Sequence, residues 1–220
     1  QPARLFPLII FVYIIYLVFK DISFYKRNMK KIILAILIFL VTSIPMGIYI
    51  NKHFNDYTGR FNQTCILNKE LVKGWYGGRF TVKEVIIHNL KKTFLMFNYI
   101  GDPNHRHNLS MYPELDFFTG IFFVVGLGYS LYKLFSPHIF LFAVVFLIFI
   151  QTGVLTIEAP HSLRTILIIP SVIFFCAVFI KKARDFYLKQ FKEKGRKPSG
   201  DKKISGLSFL KIPGKMYFNQ

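Results

Sequence analysis

Two short polar stretches hold most of the groups able to do chemistry: GDPNHRHN at residues 101–108 and EAPHSLR at residues 158–164. Both adjoin long apolar runs, where ionisable groups are costly and are retained chiefly for function. Arg106 offers a planar fork that matches phosphate or carboxylate. His105 and His107 flank it, and either imidazole can donate a hydrogen bond or exchange a proton near neutral pH. In the second stretch Glu158, His161 and Arg164 fall within seven residues. A helix starting at Pro160 would put His161 and Arg164 three apart on one face. It would also put them in the first turn, where proline is favoured and the helix dipole attracts anions. The chemistry expected is anion binding, with Arg164, His161 and Arg106 as the cationic groups and Asp102, His107, Asn108 and Glu158 in support. Plainer roles compete. Gly101, Asp102 and Pro103 make a turn on their own account, a solvated loop can meet headgroups without binding anything, and Glu158 can simply pair with Arg164.

The elements that must position these groups are apolar. The chain is 53% hydrophobic over 220 residues, with a mean hydropathy of +0.39. Runs at residues 32–50, 117–135, 139–157 and 163–180, and a shorter one at 5–19, match the length and composition of membrane helices. The expected fold is an all-α polytopic membrane protein with about five transmembrane helices. Lys20, Lys26, Arg27, Lys30 and Lys31 lie between the first two runs. Residues 181–220 carry twelve Lys and Arg against Asp185, Glu193 and Asp201. The positive-inside rule then places both segments in the cytoplasm and both polar stretches outside. The organisation is two spans at 1–50, an outer loop at 51–116, three spans at 117–180 and a basic tail at 181–220.

Within the outer loop, residues 73–79 (KGWYGGR) read as a glycine-rich turn. Residues 82–99 read as an amphipathic helix, with Val82, Val85, Ile86, Leu90, Phe94 and Phe97 on one face and Lys83, Glu84, His88, Lys91 and Lys92 on the other. Such a helix lies at the headgroup boundary or packs on a larger outer domain. Gly120, Gly126 and Gly128 suit close helix packing. The net charge of +18 is explained by attraction to anionic lipid, and no nucleic-acid motif accompanies it. Cys65 and Cys176 fall in unlike settings and are not expected to pair, and no metal-ligand spacing stands out. Two glycosylation sequons, at Asn62 and Asn108, are short patterns with many chance matches.

The order GDPN-x-RHN, Pro113, Leu115-Asp116 opening a span, Gly120, then PH-x-x-R with Pro170 resembles the membrane half of GT-C glycosyltransferases. Within them it is similar to the bacterial family 39-like group, the protein O-mannosyltransferases and the lipid A aminoarabinose transferase. The segment from Arg60 to Gln63 is similar as well, and the likeness spans residues 32–180. It implies sugar transfer from a polyprenyl-phosphate-linked donor to a lipid, glycan or protein acceptor, on the outer face of a bacterial plasma membrane. It implies that Arg164, His161 and Arg106 stabilise the departing phosphate. The principal catalytic Asp is then expected in an outer loop upstream of this chain, which reads as a C-terminal fragment. Asp102, Asp116 and Glu158 are not assigned as the base. The resemblance fixes no cofactor, a divalent cation being the one candidate. Two positions depart from the family pattern: Ser110-Met111-Tyr112 stands where a Gly is common before the Pro, and His105 stands where Pro is frequent.

Two other functions use the same features. A lipid-phosphate transporter or flippase component would employ the same cations, but the sequence shows no internal repeat and its charges lie at span ends. A non-catalytic membrane scaffold would explain the basic tail and leave both polar stretches idle.

Overall fold

The computed structural model describes residues 5–193. The chain divides into two units, Gln1–Phe179 and Ile180–Gln220, and the contacts below all belong to the first. The described elements are helical: α1 Phe6–Lys20, α2 Ile22–Lys52, α3 Phe54–Thr64, α4 Lys69–Tyr76, α5 Val82–Leu95, α6 Phe117–Tyr132, α7 Pro137–Val154, α8 Ser162–Thr165 and α9 Ile169–Glu193. A 3-10 turn joins the last two. The basic tail expected at 181–220 is described only as far as residue 193, where it is a continuation of α9; the rest lies outside the described residues.

Among the described residues, three helical stretches are long and apolar enough to cross a membrane: Tyr25–Lys52, Pro137–Val154 and Ser162–Phe191. The other two apolar runs also fold as helices, but α1 has 15 residues and α6 has 16. At about 1.5 Å per residue, such helices fall short of a hydrocarbon core of about 30 Å.

The basic segment after α1 is not a loop. The chain turns at Asp21, and Lys26, Arg27, Lys30 and Lys31 form the first turns of α2. Lys and Arg are good helix formers, and no Gly or Pro interrupts the segment before Pro45. None of the apolar part of α2 is buried against the rest of the chain, as expected of a helix that could face lipid. Thr42 and Ser43 return their hydroxyls to the carbonyls of Ile38 and Phe39, which satisfies them where water is scarce.

Helix α7 organises the core. Phe146, Phe149 and Ile150 are buried on it among Phe123 of α6, Phe175 of α9 and Met96 and Phe97 after α5. Helix α1 lies along α7, with Tyr16 stacked on Phe140 at 3.9 Å between ring centroids and its hydroxyl donating to the Phe135 carbonyl at 2.6 Å. The end of α1 and the α6–α7 turn therefore share one end of the unit. Ser171 ties α9 to α7 by donating to the Phe142 carbonyl at 2.9 Å.

The expected glycine packing holds at one position. A Cβ at Gly126 would lie 2.0 Å from the carbonyl oxygen of Phe175, whereas one at Gly128 would meet nothing within 4 Å. At Gly120 the close neighbour is the Asn98 side chain.

The segment expected to be an outer loop is largely helical. Helices α3 and α4 went unread because they are short and polar. Asn68 caps α4, accepting from the amides of Glu70 and Leu71, and Gly77 ends it in the left-handed region at φ 61°. The glycine-rich turn is thus confined to Gly77 and Gly78. Helix α5 opens with a reciprocal Thr81–Glu84 capping box and closes at Leu95, short of the expected Tyr99. It faces α7 with Asn89 and Thr93 and buries Val85 among Ile66, Val72 and Ile157, while Leu90 and Phe94 from its expected apolar face are exposed. Asn89 explains the rotation: its buried amide donates to the carbonyls of Val154 and Thr156 at 3.0 and 2.8 Å. Those carbonyls would otherwise be unsatisfied at the end of α7.

Candidate anion and metal site

The chain leaving α7 carries the second polar stretch, and α3 steadies it. Ile66 donates to the Leu155 carbonyl and Ile157 to that of Thr64, at 3.1 and 3.0 Å. Cys65 is buried in this bridge and free, as is Cys176. The Ala159–Pro160 peptide is cis. The helix begins at Ser162, with His161 as its N-cap, two residues later than expected. His161 and Arg164 remain one turn apart, and the Arg164 amide donates to the His161 carbonyl at 3.2 Å.

The first polar stretch folds onto this turn. Asp102 is 2% exposed. Its Oδ1 accepts from the Asn104 amide at 2.8 Å, and its Oδ2 accepts from the Ser162 amide at 2.9 Å and lies 2.8 Å from His107 Nδ1. Ser162 also donates its hydroxyl to Glu114. The position expected to hold a ligand anion at the helix start is therefore filled by the protein's own carboxylate. Burial acts to raise the Asp102 carboxyl, but the amides of Asn104 and Ser162 and the His107 ring outweigh it and hold the carboxyl below its ordinary value. Such donors favour the charged form. The His107 ring stacks on His161 at 4.3 Å between centroids, 21° from parallel. Burial pushes His161 below the ordinary imidazole value, and the charges of Arg164 and His107 push it the same way.

His107, His161 and Arg164 line a cavity of about 790 Å³. Leu5 and Leu8 of the α1 end, and Leu147, Ile148 and Leu155 of the α7 end, supply apolar wall. Gln151 and Thr152 add polar groups, and Tyr57 and Phe61 of α3 also face it. The cavity thus sets an apolar surface beside one guanidinium and two imidazoles. That combination suits a ligand with an anionic head on a hydrocarbon tail.

The remaining expected residues lie elsewhere. Arg106 is exposed and absent from the cavity lining; its amide donates to Asn104 Oδ1 at 3.1 Å. An Asx turn set by Asn104 carries the guanidinium outward, so the assignment of Arg106 to the same anion as Arg164 does not match its position. Glu158 is exposed and Asn108 half-buried, its Oδ1 accepting from the Leu109 amide; neither lines the cavity. Asp116 is used as the N-cap of α6, accepting from the amides of Phe118 and Thr119. Ser162 and Glu114 have no local signal in the sequence, because they act only through partners distant in it. The same holds for the ligand set that the fold assembles: Asp102, His107 and His161 each place one ligand-type atom within 4.8 Å of the others.

Met111 has φ 65°, in the left-handed region that costs L-residues about 1–2 kcal/mol. Its amide donates to the Asp102 carbonyl at 3.1 Å and its carbonyl accepts from Gly101 at 3.4 Å, so this turn closes the loop that carries Asp102. Met111→Gly is expected to leave the site intact and raise stability by up to about 1 kcal/mol, the relief of strain exceeding the added chain entropy. Thermal unfolding in detergent checks it.

Comparison with family models, curated proteins and solved structures gives no match to this chain.

Proposed function

We propose that this chain forms the donor-binding part of a membrane glycosyltransferase that uses a polyprenyl-phosphate-linked sugar. The observation that carries the proposal is the cavity in which the apolar ends of α1 and α7 meet Arg164, His161 and His107. In this reading α1 and α6 cross as well, their short length met by local thinning of the bilayer, and the cavity opens on the outer face of the plasma membrane. The prenyl chain lies on the leucines and the phosphate meets Arg164. An acceptor hydroxyl attacks the anomeric carbon, the carbon–oxygen bond to phosphate breaks, and the lipid phosphate leaves with the bonding electrons. Arg164 stabilises that charge where water is largely excluded. His161, whose pKa burial pushes below the ordinary imidazole value, adds a hydrogen bond. A carboxylate base takes the acceptor's proton.

The test uses the complete protein in detergent with a labelled polyprenyl-phosphate sugar, following release of the lipid phosphate. Arg164→Ala is expected to slow release by about 10²–10³-fold, the usual effect of removing one group that stabilises developing charge, while membrane insertion is retained. An Arg164→Ala protein that transfers at the wild-type rate would remove the phosphate role assigned to Arg164.

A further inference from the structure

We propose that Asp102, His107 and His161 bind a divalent transition metal of the zinc class. The inference goes beyond sugar transfer and does not depend on it. Four observations converge. The three side chains come from two loops that are distant in sequence, yet one ligand-type atom from each lies within 4.8 Å of the others. Among the described residues this is the cluster of His, Cys and carboxylate groups that meets such a distance. His161 is 7% exposed, and its Nδ1 is buried with no hydrogen-bond partner. A buried polar atom without a partner is uncommon and calls for an explanation such as an ion. Both imidazoles line the cavity, which leaves room for a further ligand beside the three.

Two imidazoles and one carboxylate favour zinc-like ions over magnesium or calcium, which take mainly oxygen ligands. Three protein ligands with one open position is the pattern of catalytic rather than structural zinc sites. The surroundings supply the outer partners such sites need. The amides of Asn104 and Ser162 supply the outer partners that fix the carboxylate, while His107 Nδ1 and Asp102 Oδ2, 2.8 Å apart, already stand near ligand–ligand spacing, so the ion would take the place of the proton between them. Ligand atoms in a tetrahedral zinc site stand about 3.3 Å apart, so the three groups must draw together. Rotation of the His161 ring does this without breaking a hydrogen bond at Nδ1, because none is present there.

The experiment strips the purified full chain with chelator and titrates Co²⁺, reading visible d–d absorption, with Zn²⁺ as competitor. One equivalent of Co²⁺ is expected, with the intense bands of a low-coordinate site, displaced by Zn²⁺. His161→Gln and His107→Gln are each expected to weaken binding by more than about 100-fold, since losing even an outer-shell partner costs about 10–100-fold. His88→Ala, an exposed histidine on α5, should bind as wild type. His161→Cys, made with Cys65 and Cys176 replaced by Ser, separates loss of a ligand from loss of fold: it should bind Co²⁺ with a sulfur-to-cobalt charge-transfer band that its parent lacks. Substoichiometric binding by wild type, wild-type affinity in both Gln variants, or Co²⁺ binding by His161→Cys without that band would each overturn the proposal.

Discussion

Asp102→Ala is expected to lower stability by about 3 kcal/mol. The carboxylate is nearly fully buried and accepts from two amides and, with the proton on Nδ1, from the His107 ring. Hydrogen bonds to a charged group are worth about 1.5–3 kcal/mol each, and removing one partner of a buried pair costs about 3–5 kcal/mol because the other is stranded. Part of that loss is recovered where the cavity lets water reach His107. In a chain of this size the change corresponds to a fall of about 6–12 °C in Tm, read by thermal unfolding in detergent after chelator treatment. The effect on the site should be larger than the effect on the fold. Asp102 joins the loop of the first stretch to the first turn of α8, so its loss frees His107 from His161. A Tm within about 1 °C of wild type would mean that something other than Asp102 holds the two stretches together.

Gly126→Ala is the second large effect. The added Cβ would lie 2.0 Å from the Phe175 carbonyl oxygen and 2.7 Å from its carbon. Backbone on both sides cannot yield locally, so α6 and α9 must part. Separation also loosens the contacts of Phe123 with Phe175 and of Phe122 with Phe179. Alanine gains about 1 kcal/mol of helix propensity over glycine, whereas overpacking costs about 1–3 kcal/mol and sometimes more. Because backbone cannot give way, the cost falls at the top of that range, and a net loss of about 2 kcal/mol is expected. Gly128→Ala, two residues along, gains the same propensity and meets nothing within 4 Å, so it should be neutral or stabilising. Equal unfolding temperatures for the two variants would contradict the close α6–α9 contact.

What the sequence made legible follows from where the information is local. The apolar runs mark the long helices because membrane-spanning lengths need many apolar residues in succession. Asp116 announces the start of α6 because a cap acts within three residues. The two polar stretches stand out because charge beside apolar runs is rare. Their union does not, because it rests on the Asp102–Ser162 bond across 60 positions, and Ser162 has no feature that singles it out. The metal-type cluster was hidden for the same reason, with Asp102 and His107 on one loop and His161 on another. The place of Arg106 outside the cavity lining was hidden as well, because residue type says nothing about direction. The rotation of α5 was hidden because a buried Asn89 outranks Leu90 and Phe94 once two helix-end carbonyls need a donor.

The central claim is that the cavity beside Arg164 holds the phosphate head of a prenyl lipid. Equilibrium binding to the purified chain in lipid nanodiscs tests it, comparing a polyprenyl phosphate with the matching polyprenyl alcohol for wild type and Arg164→Ala. The account predicts saturable binding of the phosphate at one site, at least about tenfold tighter than the alcohol. A buried charge pair worth 1.4 kcal/mol or more gives that ratio, and Arg164→Ala should abolish the difference. Equal affinity of the wild type for phosphate and alcohol, or a preference for phosphate that survives Arg164→Ala, would contradict it.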